Sequence, residues 1–191
     1  MMFVAGTRLR WLGAGAAVAV AFVVVYISFM GYAGDRVTAW LHPEQDPGDT
    51  GYQILQSLYA IGSGGLFGLG FGKSRQKYLY LPFQYNDYIF AVCCEELGLV
   101  GAAAITVLFA AAILRGYWIA LQARDRFSTV LASGLVTLIA VQTILNLCVV
   151  TNLLPSTGIA LPFFSYGGTA LAMNLGEMGI VLSISRQRNK R

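Results

Sequence analysis

Charge is scarce in this chain of 191 residues: 12% are Asp, Glu, Lys or Arg, against roughly a quarter in soluble domains, which excludes an ordinary water-soluble fold. Histidine is scarcer still. His42 stands alone in a surface loop beside Pro43 and makes a poor case for catalysis. The three cysteines, Cys93, Cys94 and Cys148, fall inside predicted helices, and adjacent Cys93 and Cys94 point about 100° apart there. They read as small apolar packing residues, with neither a disulfide nor a thiolate metal site indicated. No His/Cys/carboxylate set has metal-ligand spacing. Ser156 and Ser165 lack a His or Lys nearby in sequence, so a serine hydrolase is excluded. No basic cluster alternates with aromatics on a soluble surface, which argues against nucleic acid as a partner. There is no internal repeat and no soluble domain of any size.

What the chain does have is hydrophobic length. Residues 12–30 form an uncharged run of 19, and residues 127–154 are uncharged over 28. Each can cross a hydrocarbon core, which needs about 20 residues of helix. Residues 88–114 are long enough too, although Glu95 and Glu96 interrupt them, and residues 166–185 carry Glu177. An all-α polytopic membrane domain is expected over residues 1–191, with helices near 12–31, 88–114, 127–150 and 166–185. Outer loops then fall at 32–87 and 151–165. The first run has the basic flank and small residues of a signal peptide. It is longer than the usual h-region of about 7–15 residues and ends in bulky Tyr26-Ile-Ser-Phe-Met30, so a spanning helix is expected.

The cations set the orientation. Arg8, Arg10, Arg115, Arg124, Arg126, Arg186, Arg188, Lys190 and Arg191 make nine of the 13 Lys/Arg, all on the side that the positive-inside rule makes cytoplasmic. Both termini are expected inside. The net charge of +4 reflects these anchors. Arg36, Lys73, Arg75 and Lys77 share the long outer loop with Asp35, Glu44, Asp46, Asp49 and Asp87.

That loop reads in three parts. Residues 32–50 (ending HPEQDPGDT) suit an extended, turn-forming segment. Residues 52–61 (YQILQSLYAI) have apolar positions 54, 55, 58 and 61, with Gln53, Gln56 and Ser57 elsewhere, as in a short amphipathic helix at the interface. Residues 62–72 carry six glycines in eleven. They do not match G-x-G-x-x-G and follow no strand, so a tight re-entrant turn with close backbone packing is expected, leaving a weaker role in approaching a ligand's pyrophosphate. The second outer loop (TNLLPSTGIALPFFSY) is too apolar for an exposed connection; it is expected to dip inward, either lining a cavity or simply buried.

The stretch QYNDYIFAVCCEE places one acid, Asp87, where a polar loop meets a hydrophobic helix, just after the Lys73–Lys77 cations. A carboxylate beside cations at a membrane surface suits chemistry on a lipid-linked anion. After Pro82, however, Asn86 or Asp87 is also a good N-cap for the helix that follows. Glu95 and Glu96 lie roughly 12–14 Å deeper at 1.5 Å per residue. Glu95 is expected to face a wet cavity connected to the site, Glu96 to make an interhelical hydrogen bond, and Glu177 a structural bond.

Taken together, DRVTAWLHPEQDPGDTGYQILQS, AIGSGGLFGLGFGKSRQKYLYLP, NDYIFAVCCEELGLVG, NLLPSTGIALPFFSYGGTAL and GIVLSISR resemble the SEDS family (shape, elongation, division and sporulation; FtsW, RodA and SpoVE). The resemblance runs from about Asp35 to Arg186, and KSRQKYLYLP is nearer the FtsW and SpoVE branch. It implies the last four helices of a ten-helix fold, so that this chain would be a fragment, a split gene product or one with a misplaced start. It implies a peptidoglycan glycosyltransferase of the bacterial cytoplasmic membrane that polymerises lipid II at the outer face, in cell division or cell-shape maintenance. A class B penicillin-binding protein and divisome or elongasome proteins are the implied partners.

In that resemblance Asp87 matches the essential aspartate and takes the general-base role in an inverting displacement. Arg36, Lys73, Arg75 and Lys77 become candidate pyrophosphate contacts, and Glu95, Glu96, Ser165 and Tyr166 cavity support. No cofactor is assigned, with a loosely held divalent cation bridging pyrophosphate and Asp87 left open. Ser156-Thr157 departs from the Thr-Lys of some members, so that loop lacks a cation. The alternatives are a lipid II flippase and a non-catalytic scaffold for a penicillin-binding protein.

Overall fold

The computed structural model describes residues 9–29, 31–45, 50–74 and 86–187. Every regular element among them is helical: α1 (Leu9–Phe29), α2 (Gly31–Leu41), a single 3-10 turn (Pro43–Gln45), α3 (Thr50–Ser63), α4 (Ile89–Leu121), α5 (Arg126–Val150) and α6 (Gly168–Arg186). Helices α4 and α5 are long and apolar enough to cross a membrane, while α1 contributes a shorter apolar stretch over Gly13–Phe22. Helices α1 and α6 fall where the other two spans were expected.

Three local expectations need correction. Residues 31–41 are helical rather than extended, because Pro43 and the Asp/Pro/Gly cluster begin only after Leu41. On this helix Arg36 and Trp40, four residues apart and so on one face, both reach the loop between α5 and α6. Helix α3 forms, but the face it packs inward differs from the one marked by its apolar positions 54, 55, 58 and 61. Its buried stripe is Gly51, Ile54, Ser57 and Ala60, so Ser57 sits on the packed face, where its hydroxyl donates to the carbonyls of Ile54 (2.8 Å) and Val150 (3.2 Å). Small residues let the backbones approach, and a local hydroxyl bond meets its own polar demand there. Helix α4 runs on to Leu121 rather than ending near 114, since Arg115 folds over the Trp118 ring (4.3 Å) and Gly116 admits the Val136 side chain of α5.

The turn between α4 and α5 is short because Asp125 caps α5: its carboxylate accepts from the Ser128 amide (3.0 Å) and hydroxyl (2.8 Å), which holds its pKa below the usual value. Two apolar clusters hold the helices together. One, around Tyr88, Phe90, Ala102, Phe109, Val150 and Leu161, lies toward the start of α4; the other, around Ile119, Ala132, Val136, Val181 and Ile184, lies at its far end. The three cysteines are free, with Cys94 buried in the first cluster.

Helix α4 is broken at Gly98 (φ 68°, ψ −170°), and the glycine-rich segment 62–72 straps across the break. Leu69 N–H donates to the Glu95 carbonyl (2.9 Å) and Gly70 N–H to that of Glu96 (3.1 Å). In return, Leu99 N–H donates to the Gly65 carbonyl (2.9 Å) and Val100 N–H to that of Leu66 (3.2 Å). A break exposes backbone groups that a helix would otherwise pair, and this strap satisfies them on both sides. The contact is backbone to backbone. A Cβ on Gly68 or Gly98 would come under 3.0 Å from main-chain atoms opposite.

Candidate functional site

Asp87 sits in the turn Asn86–Tyr88 immediately before α4. The N-cap position of α4 is Tyr88, and no side chain caps it. The capping role weighed for Asn86 and Asp87 is therefore not taken up, and the start of the helix makes no use of the carboxylate. The turn is held by its main chain instead. The Asn86 carbonyl accepts from Ser165 Oγ (2.6 Å), and the Asp87 carbonyl accepts from Asn146 Nδ2 (2.7 Å).

The loop between α5 and α6 wraps this turn. Leu161 and Pro162 are buried, and Leu161 N–H donates to Ser165 Oγ (2.7 Å), so that one hydroxyl joins the loop to Asn86. Gly158 (φ 68°) lies against the carboxylate: a Cβ built there would be 3.5 Å from Asp87 Oδ2. From the other side, Arg36 donates to the Ser156 carbonyl (2.8 Å), and Trp40 Nε1 donates to the Asn152 carbonyl (3.0 Å). Tyr88 Oη donates a long bond to Ser156 Oγ (3.4 Å). Thus α2, the α4 start and the loop after α5 converge on one carboxylate. Partial burial raises the Asp87 pKa above its ordinary value, and the Arg36 guanidinium opposes that rise.

Of the cations expected to meet a pyrophosphate, Arg36 is the one whose charge acts on Asp87 among the described residues. Lys73 is exposed at the end of the strap, and Arg75 and Lys77 lie outside the described residues. Glu95 is 1% exposed and accepts from the Ser74 hydroxyl, closed under the strap rather than open to a wet cavity. Glu96 is buried, its main-chain carbonyl taken by Gly70. Ser165 belongs to the turn that holds Asp87, whereas Tyr166 is 83% exposed. A cavity of about 170 Å³ lies between α4, α5 and α6 beneath Phe163 and Phe164; its lining is apolar and holds no ionisable group.

Sequence reasoning missed Asn146, Ser156, Gly158 and Trp40 as site-forming residues. For Asn146 a signal was present: it is a strongly polar amide inside the longest uncharged run of the chain.

A match to the FtsW/RodA/SpoVE family, described as cell cycle proteins, covers residues 1–190. The chain is 45% identical over 186 residues to stage V sporulation protein E of Bacillus subtilis, covering 97% of this chain and 51% of that protein. It is 44% identical over 185 residues to a probable peptidoglycan glycosyltransferase FtsW of Geobacter sulfurreducens (97% and 50% covered). To the peptidoglycan glycosyltransferase MrdB of Escherichia coli it is 41% identical over 191 residues (98% and 52%). The chain thus spans about half the length of these relatives. Among solved structures it resembles a chain of a peptidoglycan synthase complex that coordinates polymerization and crosslinking, with a TM-score of 0.73 at 30% identity over 96% of this chain and 50% of the other. It also resembles the rod shape determining protein RodA of Thermus thermophilus, with a TM-score of 0.54 at 34% identity over 71% of this chain and 41% of the other.

Proposed function

The chain belongs to the FtsW/RodA/SpoVE family of cell cycle proteins, and from that premise we propose that it carries the catalytic carboxylate of a peptidoglycan glycosyltransferase acting on lipid II. The observation that carries the proposal is the state of Asp87, a partly buried carboxylate unused by the helix it precedes, set beside Arg36 where two outer loops meet. The names of the relatives support the reaction class, and the synthase complex supports a penicillin-binding protein as partner.

The chemistry needs little more than these groups. Asp87 takes the proton of the acceptor hydroxyl as that oxygen attacks the anomeric carbon of the donor. The bond to the undecaprenyl pyrophosphate breaks, and the departing pyrophosphate carries away the electron pair. One displacement inverts an α-linked donor to a β-glycosidic product and requires no covalent intermediate. A raised pKa strengthens the base, while Arg36 offers positive charge for the leaving group. Lys73, Arg75 and Lys77 remain further candidates for that second role.

The length of α4 bears on where this happens. Its 33 residues would measure about 50 Å unbroken, well beyond a hydrocarbon core of about 30 Å. Residues 99–121, beyond the break, measure roughly 35 Å and suffice to span. We place the part before Gly98 in the outer headgroup zone, which brings Glu95 and Glu96 out of the bilayer centre and Asp87 to the outer aqueous boundary. Four spans, both termini cytoplasmic and residence in the bacterial cytoplasmic membrane complete the topology.

The test is reconstitution with a class B penicillin-binding protein and labelled lipid II. Glycan polymer is the expected product. Lipid crossing without polymer would favour a flippase, and neither outcome would favour a scaffold. The pH profile follows from the environment of Asp87. Polymerisation should rise with pH through an acid limb lying above the ordinary carboxylate value of 3.8. Arg36→Gln removes the charge that holds the pKa down, so the limb should move to higher pH, with KM for lipid II rising as well. A limb that stays in place or moves to lower pH would detach Arg36 from Asp87.

A further inference from the structure

We infer that Asn146 is the positioning residue of the site, an amide on α5 that fixes the Asp87 main chain and the loop facing its carboxylate in one geometry. Its Nδ2 donates both hydrogens, to the Asp87 carbonyl (2.7 Å) and to the Ile159 carbonyl (2.8 Å). Those acceptors bracket the carboxylate: one is on Asp87 itself, and the other follows Gly158, whose Cβ position lies 3.5 Å from Oδ2. With two carbonyls opposite, only the NH₂ end of the amide can face them.

The placement is costly for α5. Asn146 is 1% exposed, and its Oδ1 is buried without a hydrogen-bond partner among the described residues. Asparagine is a weaker helix former than leucine, and an unpaired buried amide oxygen carries a desolvation penalty. Nothing in the helix itself needs an amide there. Its worth lies in the two carbonyls it joins, one from each outer loop, and reactive groups must be held to within a fraction of an ångström to keep their rate. Ser165 also links the two segments, but through Asn86 and Leu161, one residue before Asp87 and three beyond Gly158, whereas Asn146 bonds Asp87 itself and the residue next to Gly158.

The role rests on the glycosyltransferase proposal, and the experiment separates the two. Asn146→Leu and, as a control, Ser57→Ala are made in the full chain, reconstituted with the penicillin-binding partner and labelled lipid II, and followed in parallel by amide hydrogen exchange. Ser57 also bonds a carbonyl of α5, that of Val150, so it reports an ordinary buried hydrogen bond. In Asn146→Leu, kcat should fall roughly tenfold or more while KM stays within about threefold. Exchange should quicken at residues 88–92 and 157–161 but not along 130–140, and Ser57→Ala should show neither effect. Unchanged exchange in the two segments, a raised KM with kcat intact, or an equal loss in Ser57→Ala would overturn the assignment. Should Asn146→Leu not insert, Asn146→Ser, which retains a single donor, is read the same way. If the parent chain makes no polymer, the glycosyltransferase proposal falls and the exchange pattern alone decides the role of Asn146.

Discussion

Asp87→Asn should abolish glycan polymerisation while leaving the protein folded. The side chains are nearly isosteric, and the contacts that hold the turn come from the carbonyls of Asn86 and Asp87, which the substitution leaves in place. Helix α4 loses no cap, since none is made. What disappears is the ability to accept a proton, a contribution of about 10²–10⁴-fold in rate for a positioned base. Removing a partly desolvated charge should cost no stability beyond roughly 0.5 kcal/mol, the scale of changes that touch no packing. Initial rates with labelled lipid II and thermal unfolding in the same detergent give both quantities. A variant with rates within threefold of the parent would remove Asp87 from the base role, and one that unfolds early would show the carboxylate to be structural.

Gly98→Ala should be strongly damaging for a change of a single methyl group. At φ 68° and ψ −170° the backbone lies in a region essentially reserved for glycine, where another residue costs about 1–3 kcal/mol. The added Cβ would also press on Gly68 N and on the carbonyl of Leu66, main-chain atoms with no rotamer to turn away. Relief would require lifting the strap and giving up its paired hydrogen bonds. The expected loss is on the order of 3 kcal/mol or more, seen as low membrane yield and early unfolding. Gly62→Ala is the matched control, because nothing lies within 4 Å of its Cβ position. Equal stability of the two variants would show that the strap does not support the break.

The long apolar helices were legible because α5 states itself in an uncharged run and α4 in an apolar one that Glu95 and Glu96 interrupt. Asp87 read as an N-cap as readily as a base until the SEDS resemblance chose the base role. The strap was half legible. Six glycines announced close backbone packing, but its partner, the break at Gly98, left no trace. Pairing between main chains selects for the absence of side chains, and Gly98 among Leu97, Leu99 and Gly101 looks like ordinary helix filler. Helix α2 was hidden by the turn-forming residues just after it. The inward face of Ser57 was hidden because a hydroxyl reads as polar although it can satisfy itself within its own helix. The convergence of Arg36, Ser156, Gly158 and Asn146 on Asp87 depends on contacts between distant segments, which periodicity and spacing do not encode.

The strap has a genetic consequence. A defect caused by an oversized side chain can be relieved by trimming its neighbour, so selections for restored function usually return compensating changes nearby. Across the Gly68–Gly98 contact there is nothing left to trim. Selection for regained growth from a Gly98→Ala strain should therefore yield chiefly true revertants, with second-site changes in residues 62–72 rare or absent.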